Sequence, residues 1–170
     1  MFATPARVLW LYGLSGAGKT TLARQVADEW RARGGAVAVL DGDDLRSGVS
    51  SDLAFTDTGR TENIRRAAEM AAMLCRQGIN VVAALVTPLR EQREMVRRVL
   101  QGHPVDFYWV NTPLETCQKR DPGGLYTRAA SGELQDVAGL DLPFEEPGMD
   151  LPDRTLPGWA ESNGNFRLCG

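Results

Sequence analysis

Val8-Leu9-Trp10-Leu11-Tyr12-Gly13-Leu14-Ser15-Gly16-Ala17-Gly18-Lys19-Thr20-Thr21-Leu22 is the stretch that decides the fold. Residues 8–12 are an unbroken apolar run, as in a strand buried on both faces. Gly13 to Thr20 match G-x-x-x-x-G-K-[ST] at every fixed position. Residues 20–33 then carry Leu22, Val26 and Trp30 on one helical stripe and stop at Gly34-Gly35. A buried strand, a glycine-rich turn and an amphipathic helix, in that order, make a phosphate loop. Backbone N–H groups curl around phosphate oxygens where a side chain would block approach, and the helix N-terminus adds its positive dipole end. Lys19 supplies a point charge for the β/γ-phosphates and Thr20 a hydroxyl for Mg²⁺. The candidate nucleotide ligands are Gly13, Ser15, Gly16, Ala17, Gly18, Lys19, Thr20 and Thr21.

Outward from the loop, strand-like and helix-like stretches alternate. Residues 36–40, 80–86 and 105–110 read as buried strands, and residues 62–77 and 91–100 as amphipathic helices. Thr112-Pro113-Leu114-Glu115 reads as a capping box opening a helix through about Arg120. Thr87-Pro88 reads likewise as an N-cap with proline at the first helical position. Such alternation predicts an α/β, P-loop NTPase-type three-layer fold. Its mainly parallel sheet has four or five strands, with helices on both faces and ligands at the strands' carboxyl ends. From about Gly132 the pattern gives way to glycine, proline and acidic residues, with a weak strand candidate at residues 166–169. The 170 residues predict one domain, with residues 148–170 as an atypical tail.

A net charge of −3 argues against a protein that holds nucleic acid by neutralising phosphates. It leaves room for a small anion in a locally basic pocket. Of the nineteen basic residues only Lys19 and Lys119 are lysines, and one of them fills the slot that the loop requires. Cys75, Cys117 and Cys169 are widely spaced, and His103 is the single histidine, so neither a zinc site nor a disulfide framework is expected. This composition suits a reducing, cytoplasmic compartment. The apolar run before the loop is too short to span a membrane.

After the second strand stands Asp41-Gly42-Asp43-Asp44-Leu45-Arg46. Carboxylates at that sheet edge can orient Mg²⁺ or accept a proton from a substrate hydroxyl. Phe55, Arg60, Asn63, Arg65 and Arg66 follow near a helix start, a set that suits a flat base with an anionic tail. No Asn-Lys-x-Asp base-reading motif is present, which favours a small-molecule kinase over a GTPase.

These stretches together resemble the adenylylsulfate kinase family: GLSGAGKTTLA, LDGDDLR, DLAFTDTGRTENIRR, TPLREQR, RDPGGLY and PFEEP, in family order. The resemblance implies Mg·ATP-dependent phosphorylation of the 3′-hydroxyl of adenosine 5′-phosphosulfate. It implies Asp43 as the catalytic carboxylate together with Lys19, and Thr20 and Asp41 at the metal. Asp43, Arg46, Phe55, Arg60, Asn63, Val86, Thr87 and Leu125 would hold the acceptor. Arg120 would reach ATP from a lid spanning residues 120–126. A homodimer is suggested by the same analogy. The chain departs from the family pattern in four places. Gly59 replaces an acid and would leave Arg60 less firmly held. Gly123 replaces a lysine. Val137 replaces the second stacking aromatic. Residues 151–170 do not match the closing segment. Two other readings stay open on sequence: a kinase for a different nucleotide-like hydroxyl, and a nucleotide-binding module without catalysis.

Overall fold

A computed structural model describes residues 5–148 and 153–157. The chain runs β1 (Val8–Tyr12), α1 (Lys19–Ala32), β2 (Val37–Asp41), α2 (Gly42–Arg46), α3 (Asp57–Arg76), β3 (Asn80–Leu85), α4 (Arg90–Val99), β4 (Val105–Asn111), α5 (Leu114–Arg120), α6 (Leu125–Ala130) and β5 (Arg154–Pro157). A single 3₁₀ turn, Pro122–Gly124, joins α5 to α6. The strands form one five-stranded sheet in the order β2-β3-β1-β4-β5, and every pairing is parallel.

Strand β1 sits at the centre because it is apolar on both sides. Val8, Trp10 and Tyr12 pack with Ile64, Ala67 and Ala71 of α3 and Val96 of α4. Leu9 and Leu11 pack on the other face with Leu22, Ala23 and Val26 of α1 and Cys117 of α5. The period-two alternation of the strand therefore feeds two cores, which gives the three-layer arrangement. Tyr12 is level with Leu85 of β3 and Trp109 of β4, and Asp41 with Ala84. Gly13, Gly42 and Val86 thus emerge together at one carboxyl edge.

The strands and α1 lie within a residue or so of their expected positions. Three other expectations are corrected. Helix α3 starts at Asp57, not residue 62, because the Thr56 hydroxyl accepts from the Gly59 N–H at 3.1 Å. Thr112 caps nothing: its hydroxyl donates to the Ala17 carbonyl at 2.8 Å, tying the phosphate loop to the end of β4. Thr87 is likewise no cap, since α4 begins at Arg90. Thr87 is completely buried at φ 42°, with its hydroxyl oxygen accepting from Trp10 Nε1 at 3.0 Å. A β-branched residue at positive φ is strained. Arg93, also completely buried, donates to the Thr87 and Pro88 carbonyls at 3.0 Å each and to the Glu145 carbonyl at 2.7 Å, which holds that turn in place.

Strand β5 was not read from the sequence, and the candidate strand at residues 166–169 lies outside the described residues. What anchors β5 is the residue before it. The buried Asp153 carboxylate accepts from Tyr12 Oη at 2.7 Å, pairs with Arg97, and lies 3.9 Å from Arg93 Nε. Arg97 also covers the Phe107 ring, 4.0 Å from its centroid. Two guanidiniums therefore share one carboxylate. Replacing Asp153 with alanine removes the carboxylate that both share and leaves the wholly buried Arg93 with only the Glu145 charge to offset its own. The variant should lose about 3–5 kcal/mol of unfolding free energy, read by urea titration. A loss under about 1 kcal/mol would show that Asp153 is not the anchor.

Candidate active site

Two cavities open at the carboxyl edge of the sheet and share a wall. The first, about 490 Å³, lies over the phosphate loop and the start of α1, bounded by Lys19, Thr20, Thr21, Asp41 and Arg120 among others. The second, about 280 Å³, lies between α2, α3, α6 and the loop after α6, with Arg46, Phe55, Arg60, Asn63, Leu125 and Val137 in its wall. Among the described residues Asp43 is the one ionisable residue that lines both.

The loop's shape is held by its carbonyls. That of Ser15 accepts from Tyr126 Oη at 2.9 Å, that of Gly16 from Arg120 at 2.9 Å, and that of Ala17 from Thr112 at 2.8 Å. In a trans peptide the next N–H points the opposite way, which is how such a loop offers donors to phosphate. Gly13 is required by a close approach: a Cβ there would stand 2.6 Å from the Val110 carbonyl oxygen. Lys19 Nζ donates to the Leu14 carbonyl at 2.7 Å. Burial lowers its pKa to about 8, against the opposing pull of Asp41 and Asp43.

Asp41 uses both carboxylate oxygens. Oδ2 accepts from the Thr20 hydroxyl at 2.6 Å, and Oδ1 caps α2 by accepting from the Asp43 N–H at 2.9 Å. The acidic turn is therefore the start of a short helix that carries Asp43 toward the cleft. Burial first, and Asp41 second, push the Asp43 carboxyl above its ordinary value. A raised carboxylate is a stronger base than a free one.

In the second cavity Phe55 is not a core residue: it stays 41% exposed. The guanidiniums of Arg46 and Arg60 lie 5.2 and 5.9 Å from its ring centroid. Burial lowers the pKa of both arginines, a cost that an anionic ligand would offset. Arg60 is 9% exposed, donates to the Asp136 carbonyl and pairs with Asp57 at 3.5 Å. Arg60 is thus seated by partners other than an acid at position 59. Gly59 is demanded by space, since a Cβ there would meet the Ala54 carbonyl oxygen at 2.1 Å. Asn63 Nδ2 donates to the Gly42 carbonyl at 3.2 Å, while its buried Oδ1 has no partner. That oxygen is an acceptor awaiting a ligand donor.

Of the sequence-derived candidates, Thr87 alone sits apart, buried behind the cleft. Gly13 and Ala17 shape the loop without lining either cavity; Val86 lines both. Sequence reasoning missed several contributors. Leu85 lines both cavities and Arg128 the second, and the Asp136 carbonyl seats Arg60. Asp136 at φ 58° lies in a tight turn where Asp141 accepts from the N–H groups of Asp136 and Val137, at 2.7 Å each. No local motif signals such a contact across the chain.

Comparison with known proteins agrees with this geometry. The adenylylsulphate kinase family model matches residues 5–151. An adenylyl-sulfate kinase of Geotalea daltonii is 47% identical over 142 residues, 82% of this chain and 69% of that protein. A probable adenylyl-sulfate kinase of Bacillus subtilis is 44% identical over 149 residues, 88% of this chain and 75% of that protein. Among solved structures, the Mycobacterium tuberculosis APS kinase CysC in complex with AMPPNP and APS superposes with a TM-score of 0.84 at 37% identity, covering 90% of this chain and 88% of that one.

The Lys19 environment generates a pH test. With a folded pKa of about 8 against 10.5 unfolded, the unfolded chain binds more protons between those values, so this group makes stability rise with pH there. Nucleotide binding has the opposite sign, because phosphates favour the ammonium. ATP affinity should fall by up to about tenfold between pH 8 and 9, with net proton uptake on binding when calorimetry is repeated in buffers of different ionisation enthalpy. Flat affinity across that range would remove Lys19 from phosphate recognition.

Proposed function

The chain belongs to the adenylylsulfate kinase family, and from that membership and the paired cavities we infer that it transfers the γ-phosphoryl group of ATP to the 3′-hydroxyl of adenosine 5′-phosphosulfate. The observation that carries the reading is the position of Asp43 in the shared wall. A donor in the first cavity and an acceptor in the second meet at that carboxylate.

Residue roles follow from placement. ATP lies with its phosphates in the loop, under Lys19 and Arg120. The acceptor base stacks on Phe55, its anionic tail pairs with Arg46 and Arg60, and a ribose hydroxyl donates to the free Asn63 Oδ1. Asp43 accepts the proton of the 3′-hydroxyl as its oxygen bonds to the γ-phosphorus. The bond from that phosphorus to the β,γ-bridging oxygen breaks, and ADP leaves. The donor set suits Mg²⁺. Thr20 donates its hydroxyl hydrogen bond to Asp41 and so keeps its oxygen lone pairs for a cation, with Asp41 adding a carboxylate. Among the described residues there is no group of three or more His, Cys, Asp or Glu that could hold a metal; an ion here would be ligated mainly by phosphate and water. When bound, the ion would neutralise charge on the β- and γ-phosphates.

The segment from Arg120 to Tyr126 serves as a lid. Fastened to the loop through the Ser15 and Gly16 carbonyls, it covers the junction and excludes water that would waste ATP. A cytoplasmic setting accords with the free thiols of Cys75 and Cys117. No helix among the described residues is long and apolar enough to cross a membrane. By family resemblance the chain acts as a homodimer, which sedimentation would test.

The direct test is ADP release with Mg·ATP against a panel of nucleotides that includes adenosine 5′-phosphosulfate. Turnover should appear with that acceptor; turnover only with a pyrimidine nucleotide would refute the assignment. A second test separates the cavities. Phe55→Ala should raise the acceptor KM by about tenfold, since a stacked base is worth roughly 1–3 kcal/mol, and leave the ATP KM unchanged. An unchanged acceptor KM would remove Phe55 from the site.

A further inference from the structure

One charged side chain that lines the acceptor cavity, Arg128, has no part in the transfer described. Arg128 lies on α6 and lines the cavity that Arg46 and Arg60 also line, so arginines from three helices border one space. Among the described residues the only carboxylate in that wall is Asp43, which the transfer uses.

The three arginines are not held alike. Arg60 is buried against the Asp136 carbonyl, and Arg46 lies over Phe55 and near the Leu53 and Ala54 carbonyls at 3.4 Å. Arg128 has a single long ion pair, Nε to Glu133 Oε2 at 3.4 Å, with the two side chains 53% and 62% exposed. Ser131 Oγ also donates to Glu133 Oε1 at 3.1 Å, so the carboxylate keeps a partner if Arg128 leaves. An exposed pair of this kind is worth little. The helix that carries Arg128 is entered through Gly123 and Gly124, at φ 71° and 67°, where a Cβ would find no atom within 4 Å. A guanidinium that is loosely paired, on a helix reached through an unpacked turn, costs little to redirect.

We propose that Arg128 is an acceptor-binding residue, exchanging Glu133 for the anionic 5′ tail of the substrate when the acceptor enters. The exchange is favourable because a desolvated anion with several oxygens offers a stronger, bidentate partner than an exposed carboxylate. Glu133 is then the resting partner, which keeps Arg128 near the cavity mouth.

The proposal rests on the acceptor assigned above, and the test keeps the two apart. Steady-state kinetics at saturating Mg·ATP are measured for the wild-type chain, Arg128→Gln and Glu133→Gln. Adenosine, which lacks the tail, serves as a competitive inhibitor. Arg128→Gln should raise the KM for adenosine 5′-phosphosulfate about tenfold, the factor for losing one such contact. The ATP KM and the adenosine inhibition constant should stay within about twofold. Glu133→Gln removes the competitor and should lower the acceptor KM. If the wild-type chain turns over the acceptor and Arg128→Gln leaves its KM unchanged, the role of Arg128 is overturned alone. Equal weakening of adenosine and acceptor overturns it too, because the residue would then act on the shape of the cavity. Absence of wild-type turnover overturns the functional reading, and this role with it.

Discussion

The Asp41 carboxylate is the interaction on which the site depends. One oxygen takes the Thr20 hydroxyl at the start of α1, and the other takes the Asp43 N–H at the start of α2. A single side chain thus sets the distance between the phosphate loop and the carboxylate that faces both cavities. It can do so because β2 ends level with β3 at the same carboxyl edge from which β1 releases the loop. The parallel sheet supplies the rigid frame, and the short helix after Asp41 turns a strand end into a positioned acid–base group.

Charge is distributed around that point by burial as much as by pairing. Desolvation weakens the proton affinity of Lys19, Arg46 and Arg60 and strengthens that of Asp43. Each shift works against the charged form; an anionic substrate offsets it for the three cations and adds to it for Asp43. The structural cluster around Asp153 carries a burial cost of the same kind. Asp153 meets Tyr12, Arg93 and Arg97, yet Arg93 Nε and one terminal nitrogen of Arg97 are buried without a hydrogen-bond partner, as Asn63 Oδ1 is beside the second cavity.

The frame was legible because it is written locally. Unbroken apolar runs, one helical stripe and the fixed residues of the phosphate loop placed β1, α1 and the nucleotide site without tertiary information. The caps at Thr87 and Thr112 were misread for a physical reason. Both have good local capping sequences, but Trp10 Nε1 and the Ala17 carbonyl claim those hydroxyls from far along the chain. The acceptor side was readable only as a list of residue types. Arg60 seated on the Asp136 carbonyl and Arg128 brought in on α6 join segments about seventy residues apart in the chain, and no spacing rule encodes such a contact. Gly59 shows the reverse case: it looked like a lost charge, and in the fold it is the residue that the Ala54 carbonyl leaves room for.

The central claim is that Asp43 acts on the transferred group and does not merely shape the cleft. The most direct measurement is turnover of adenosine 5′-phosphosulfate by Asp43→Ala, alongside calorimetric binding of ATP and of the acceptor to the same variant. The account predicts a loss of at least about 100-fold in kcat, the lower bound for a removed acid–base group, with both ligands still bound at near wild-type affinity. A variant that turns over at the wild-type rate would contradict it.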